Sequence, residues 1–215
     1  MKSVFFDLDG TIVDSSEGIY ASVQYAMTKL GRPSLAEKVL RSFIGPPLKD
    51  SFIKLGMTEA EAKQGVAFYR ENYRQGAVLQ VQVYDGMSEL LQQLAANPQV
   101  KVYLATSKPE EFAKQILSHF QLAAYFDGIY GADMEGHRVA KADVLAYALA
   151  NAGSVDRKQA WMIGDRQHDM VGALENQVTP VGVLWGFGDQ EELLSAGASG
   201  LVEQPSELRQ LLGIA

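Results

Sequence analysis

Asp7 and Asp9 stand two residues apart and are followed at once by Gly10 and Thr11. Two carboxylates that close take up a cation, a proton, or both. A second acidic pair, Asp165 and Asp169, is spaced four apart after an apolar run, so both can face one side of a helix start. Thr106 and Ser107 put two hydroxyls just ahead of Lys108 and Pro109. Hydroxyls and free backbone N–H groups at a helix start suit a phosphate oxygen. Lys141 opens a helical pattern, where the macrodipole prefers anions, and that mismatch points to an anion nearby. Each residue also has an ordinary role open to it. Asp-x-Asp-Gly can be a solvated turn, Thr106, Ser107 or Asp165 a helix cap, and Lys141 a surface residue. The joint occurrence is more specific than any one of them. With no cysteine, the hard oxygen donors select Mg²⁺ over zinc or copper. His119, His137 and His168 are scattered and show no metal or triad spacing.

The elements that must position these residues follow from pattern. Ser3 to Phe6 reads as a short buried strand ending at Asp7, and Gly10 permits a sharp turn. Further strands are expected over Val100 to Ala105, Gly128 to Gly131, Ala160 to Ile163 and Val181 to Trp185. Helices fall between them, one starting at Pro109, one over Lys141 to Ala152, one reaching Asn176, one capped by Asp189 and Glu192, and one over Pro205 to Leu212. From about residue 15 to about 80, by contrast, the chain reads as consecutive helices. Ser15 or Ser16 can cap the first, Ser34 with Glu37 and Thr58 with Glu61 have capping-box spacing, and Gly45-Pro46-Pro47 interrupts. Alternating strands and helices imply right-handed crossovers and a parallel sheet, which binds ligands at the carboxyl ends of its strands. The expected fold is α/β: a doubly wound, Rossmann-like parallel sheet core with an inserted all-helical cap domain. The core takes residues 1–14 and 82–215, and the cap takes 15–81.

Composition narrows the function. The chain has 215 residues, is 47% hydrophobic and carries a net charge of -7 without a long basic run. That supports a sizeable core and argues against nucleic acid or an anionic membrane as partner. The apolar run at the N-terminus breaks too early for a signal peptide, and no apolar stretch approaches a membrane span. The absence of cysteine suits the cytoplasm.

Taken in order, Asp7-Leu8-Asp9-Gly10-Thr11, Thr106, Lys141 and Gly164-Asp165 with Asp169 resemble the four motifs of the haloacid dehalogenase-like hydrolase superfamily. Tyr84-Asp85-Gly86-Met87, Thr106-Ser107-Lys108-Pro109 and Trp185-Gly186-Phe187-Gly188 are similar to its phosphoglycolate phosphatase-like group. Phe43-Ile44-Gly45-Pro46-Pro47-Leu48 is like members described as 5′-nucleotidases. The resemblance covers essentially the whole chain and departs at Ala142, where many relatives have proline.

The resemblance implies a Mg²⁺-dependent phosphatase acting on a small phosphorylated metabolite, phosphoglycolate or a nucleoside 5′-monophosphate, through an aspartyl-phosphate. It makes Asp7 the nucleophile and Asp9 the general acid and base. It gives phosphate binding to Thr106, Ser107 and Lys141. The metal would be held by the Asp7 side chain, the Asp9 carbonyl and Asp165, with Asp169 in the outer shell. In the helical insert, Arg41, Gly45 and Lys49 are candidates for reading the leaving group. A phosphomutase and a non-catalytic phospho-ligand binding protein are the alternatives, and the oligomeric state is left open.

Overall fold

The computed structural model describes residues 1–214. In chain order the first elements are β1 (Lys2–Phe6), β2 (Val13–Asp14), α1 (Ser16–Lys29), α2 (Glu37–Arg41), α3 (Leu48–Lys54), α4 (Glu59–Arg74) and β3 (Gln82–Val83). There follow α5 (Met87–Ala95), β4 (Val100–Pro109), α6 (Glu110–His119), β5 (Gly128–Ala132), α7 (Lys141–Asn151), β6 (Ala160–Gly164) and α8 (Gln167–Glu175). The last four are β7 (Thr179–Val183), α9 (Gln190–Ser195), β8 (Gly200–Val202) and α10 (Pro205–Leu211).

Six strands form one sheet in the order β5-β4-β1-β6-β7-β8. Every pairing in it is parallel. β1 lies between β4 and β6, so the chain reverses its direction of travel across the sheet there, the point where open α/β sheets bind ligands. A strand in that place is covered on both faces, which is why Val4, Phe5 and Phe6 are all fully buried. One face packs Phe5, Tyr103 and Met162 against Val144, Leu145 and Ala148 of α7 and Ala173 of α8. Phe5 stacks on Tyr103 at 4.9 Å.

The chain divides into two compact units, Met1–Val13 with Val83–Ala215, and Asp14–Gln82. It crosses between them twice, at β2 and at β3, and these two short strands pair with each other. The helical unit has its own small core. Phe43 meets Phe52 edge-on at 5.1 Å, and Tyr69 stacks on Tyr73 at 5.2 Å. α4 passes Phe52 at Gly65, where a Cβ would stand 3.2 Å from the ring.

Several expected elements differ in detail. β4 does not stop at Ala105 but continues to Pro109 through a shift of register after Thr106. Pro109 is therefore the N-cap of α6, and neither Thr106 nor Ser107 caps that helix. β7 lies two residues earlier than expected, and β8 was not anticipated. The capping box at Thr58 and Glu61 is present. That at Ser34 and Glu37 is not: α2 starts from Ala36 without a side-chain cap, because the Gln24 amide holds both backbone groups of Leu35. Ser15 is the N-cap of α1 by position only, and Asp14 Oδ1 accepts from Ser16 N–H instead.

Candidate active site

The site grows from three neighbouring strand ends. Asp7 follows β1 directly and still donates its N–H to Ile163 O at 2.9 Å, so the sheet ladder holds its backbone. Past Asp7 the chain curls, with Ile12 and Val13 N–H both donating to Leu8 O. Asp165 follows β6, and Asp169 lies in the first turn of α8, where Oδ2 accepts from Arg166 N–H at 3.0 Å. One carboxylate oxygen each from Asp7, Asp165 and Asp169 falls within 4.8 Å of the others, and all three residues are buried.

Lys141, at the first turn of α7, is the cation of this group. Its Nζ stands 2.7 Å from Asp7 Oδ1 and 2.8 Å from Asp169 Oδ1, and it donates to Ala105 O at 3.0 Å. Its side chain is only 3% exposed. The anions implied by its position at a helix start are thus two of the chain's own carboxylates. Burial works against the ammonium, but Asp169 and Asp7 outweigh that and hold its pKa above the ordinary lysine value.

The carboxylates remain in electrostatic excess. Burial pushes Asp165 well above the ordinary carboxylate range, and the charges of Asp169 and Asp7 push it the same way, against the Phe187 N–H. Burial also raises Asp7, opposed by the charge of Lys141 and reinforced by that of Asp169. Three acids against one ammonium leave two negative charges when all are ionised. Buried oxygens in that state can hold a metal ion.

Asp165 is clamped from several sides. Thr11 Oγ1 donates to its Oδ1 at 3.3 Å and Phe187 N–H to its Oδ2 at 2.8 Å. Trp185 Nε1 donates to Thr11 O at 3.0 Å, tying that clamp to the end of β7. Gly10 and Gly186 let the backbone come this close. A Cβ on Gly10, whose φ is +81°, would stand 2.0 Å from Asp165 Oδ2, and one on Gly186 would stand 2.3 Å from Asp165 Cβ.

Asp9 is not in the carboxylate group. Its Oδ2 pairs with Lys108 Nζ at 2.9 Å. The strand alternation that would align Asp7 with Asp9 ends at Phe6, and the two acids take different cations. Thr106 is buried at the bulge of β4, where its hydroxyl accepts from Lys108 N–H at 3.2 Å and lies within reach of Asp7. Ser107 is half-buried. Arg41, Gly45 and Lys49 belong to the helical unit. Gly45 has φ +101°, and Lys49 is paired with Glu59.

Two contributors, Thr11 and Lys108, were not assigned from sequence. Lys108 follows Thr106 by two residues, but the shift of register between Thr106 and Pro109 breaks simple strand alternation there, and its partner Asp9 is distant in sequence. Among the described residues, no helix is long and apolar enough to cross a membrane.

Comparison with known proteins agrees with this geometry. A family model described as "Haloacid dehalogenase-like hydrolase" matches residues 4–183. A protein named 5′-nucleotidase from Pseudomonas aeruginosa is 40% identical over 213 residues, covering 98% of this chain and 95% of its own. One named tyrosine-protein kinase PtkA from Mycobacterium tuberculosis is 34% identical, covering 98% of this chain and 72% of its own. One named phosphoglycolate phosphatase 1, also from Pseudomonas aeruginosa, is 28% identical, covering 98% and 78%. The crystal structure of a "predicted phosphatase" from Clostridium acetobutylicum superposes with a TM-score of 0.93 at 40% identity, over 99% of both chains. Coverage of this extent, over a sheet that carries its acids at adjoining strand ends, has one reading: the chain belongs to the haloacid dehalogenase-like hydrolase family.

Proposed function

We propose that the protein is a Mg²⁺-dependent phosphatase that hydrolyses a small phosphomonoester through an aspartyl-phosphate on Asp7. A nucleoside 5′-monophosphate is preferred over phosphoglycolate as substrate, because the relative named for the nucleotide activity is 40% identical and the one named for phosphoglycolate 28%. The observation that carries the reading is the buried group of Asp7, Asp165, Asp169 and Lys141 at the carboxyl ends of adjoining strands.

Each residue takes a role that its surroundings support. An Asp7 carboxylate oxygen forms the new bond to phosphorus while the ester P–O bond breaks. Asp9, whose carboxylate lies outside the buried acidic group, gives its proton to the departing oxygen and later takes one from the attacking water as the Asp7–phosphorus bond breaks. Lys141, Thr106 and the Ser107 N–H bind the remaining phosphoryl oxygens. Asp7, Asp165 and the Asp9 carbonyl would hold Mg²⁺, with Asp169 behind them. The bound ion supplies positive charge that lets an anionic nucleophile meet an anionic phosphate. Catalysis is then mostly positioning and charge neutralisation. The helical unit serves as a cap that reads the leaving group. The cytoplasm, where nucleoside monophosphates occur, is the expected compartment.

A second reading keeps Asp7 and changes the acceptor. The relative named tyrosine-protein kinase favours transfer of the phosphoryl group to a hydroxyl other than water.

The test is phosphate release from nucleoside 5′-monophosphates, phosphoglycolate and sugar phosphates, with Mg²⁺ and with EDTA. Release is expected with Mg²⁺, abolished by chelator and restored by added Mg²⁺. Full activity in EDTA would sink the metal assignment, and no release from any ester would sink the phosphatase. Phosphotyrosine without net phosphate release would favour the second reading.

A further inference from the structure

We propose that Lys108 is a positioning residue for leaving-group departure, holding the Asp9 carboxylate in place by its Oδ2 and leaving Oδ1 to face the departing oxygen. The proposal rests on the phosphatase reading above. It is carried by the ion pair between Lys108 Nζ and Asp9 Oδ2 at 2.9 Å, with the side chains only 4% and 15% exposed.

A lysine so deeply buried is uncommon, and it is tolerated where an anion meets it. The fold has no evident need of this one: β4 is already anchored between β1 and β5 by parallel ladders. The strand instead departs from regularity to place it. Register shifts between Thr106 and Pro109, and the Lys108 N–H turns back onto Thr106 Oγ1 at 3.2 Å. That turn fixes the base of the lysine side chain within two residues of a proposed phosphate ligand.

The two oxygens of Asp9 are unlike. Oδ2 is engaged by the ammonium, while Oδ1 is buried and has no hydrogen-bond partner among the described residues. A buried polar oxygen without a partner is costly, and such atoms mark places where a ligand completes the bonding. In the proposed reaction Oδ1 carries the carboxyl proton and donates it to the ester oxygen as the P–O bond breaks. Past β1 the Asp9 backbone is held by a single bridge to Val13, and the ion pair with Lys108 holds its carboxylate, so its aim depends on Lys108.

The experiment compares kcat/KM, which reports steps through the first departure, for an alkyl ester such as AMP and for p-nitrophenyl phosphate. The nitrophenolate leaves with little help from an acid, and the ribose oxygen needs one. Lys108→Met is expected to lose about 30-fold or more on AMP and less than about fivefold on p-nitrophenyl phosphate. Lys108→Arg, which keeps the cation, should recover most of the AMP loss. In an Asp9→Asn background, Lys108→Met should cost little more, because both changes remove one function. Thermal melts establish that each variant is folded, and Lys108→Gln reads the same substrate ratio if the methionine variant is not.

An equal loss on both esters, no loss on either, or full additivity with Asp9→Asn would overturn the assignment while leaving the phosphatase standing. A rise in KM alone would make Lys108 a substrate contact and overturn it too. Wild-type protein inert on both esters would overturn the phosphatase reading first, and this inference with it.

Discussion

The carboxyl edge of the sheet and the helical unit handle charge in opposite ways. At the sheet edge, Asp7, Asp165, Asp169 and Lys141 are buried together. In the helical unit, the pairs Arg32–Glu61 and Lys49–Glu59 lie towards the surface, while the rings of Phe43, Phe52, Tyr69 and Tyr73 pack inside. Buried like charges contribute little to stability unless something compensates them, whereas packed rings contribute directly. The first arrangement is suited to chemistry and the second to holding a shape. Mutations should therefore separate: at the sheet edge they should change rate more than stability, and in the helices stability more than chemistry.

Asp7→Asn is the most demanding test of that separation. It keeps the shape of the side chain and removes its nucleophilicity, and phosphate release should fall by about 10⁴-fold or more. The circular dichroism spectrum should be unchanged. A variant free of wild-type enzyme that hydrolyses at a near-normal rate would end the covalent mechanism.

Phe52→Ala is the counterpart. The ring is fully buried, packed against Phe43 and close to α4 at Gly65. Its removal should cost about 3–5 kcal/mol in denaturant unfolding. A loss below about 1 kcal/mol would show that the rings do not hold this unit together.

Gly45→Val and Arg41→Ala sharpen the comparison by asking whether the helical unit also selects substrate. If it reads the leaving group, relative kcat/KM among esters should shift by about tenfold. Acetyl phosphate should respond less, having little leaving group to read. Lys49 is engaged by Glu59 in this structure. An unchanged profile in both variants would leave the unit with a structural role alone.

The smallest effect concerns Glu61. The Thr58 N–H, then Arg32 and the Thr58 hydroxyl, hold its pKa down to about 2. A carboxyl lowered in the folded state adds stability that is full above its unfolded value, about 4.3. That stability is lost as pH falls from there towards 2. Glu61→Gln should flatten the pH dependence of unfolding in that window and leave it untouched near neutrality. Because the group is exposed, the difference should be small and should shrink with salt.

Local chemistry was the legible part of the sequence. Thr58 with Glu61 and Asp189 with Glu192 form the expected caps, since a cap needs only its own turn of helix. Asp7, Thr106, Lys141, Asp165 and Asp169 gather as their placement near strand ends and helix starts implied. What escaped depends on distant partners. Ser34 and Glu37 have the right spacing, but Gln24, in another helix, holds Leu35 extended. The edge strand β8 has only three residues and exists through its ladder to β7. The pairing of Lys108 with Asp9 joins residues ninety-nine positions apart and has no local signature.

The place of β1 bears on how the chain folds as it is made. Its partners come late, Lys2 meeting Val100 and Ser3 meeting Ala160, so β1 has no sheet neighbour until about a hundred further residues have been made. The helical unit, contiguous from Asp14 to Gln82, can complete its contacts first. Once β2 and β3 pair, the roughly ninety-residue excursion between β1 and β4 behaves as a far shorter loop. By loop-closure scaling, that shortcut lowers the entropic cost of docking β4 by roughly 1–2 kcal/mol. The insert would thus act as a splint during synthesis, bringing the second strand back to the one that waits for it.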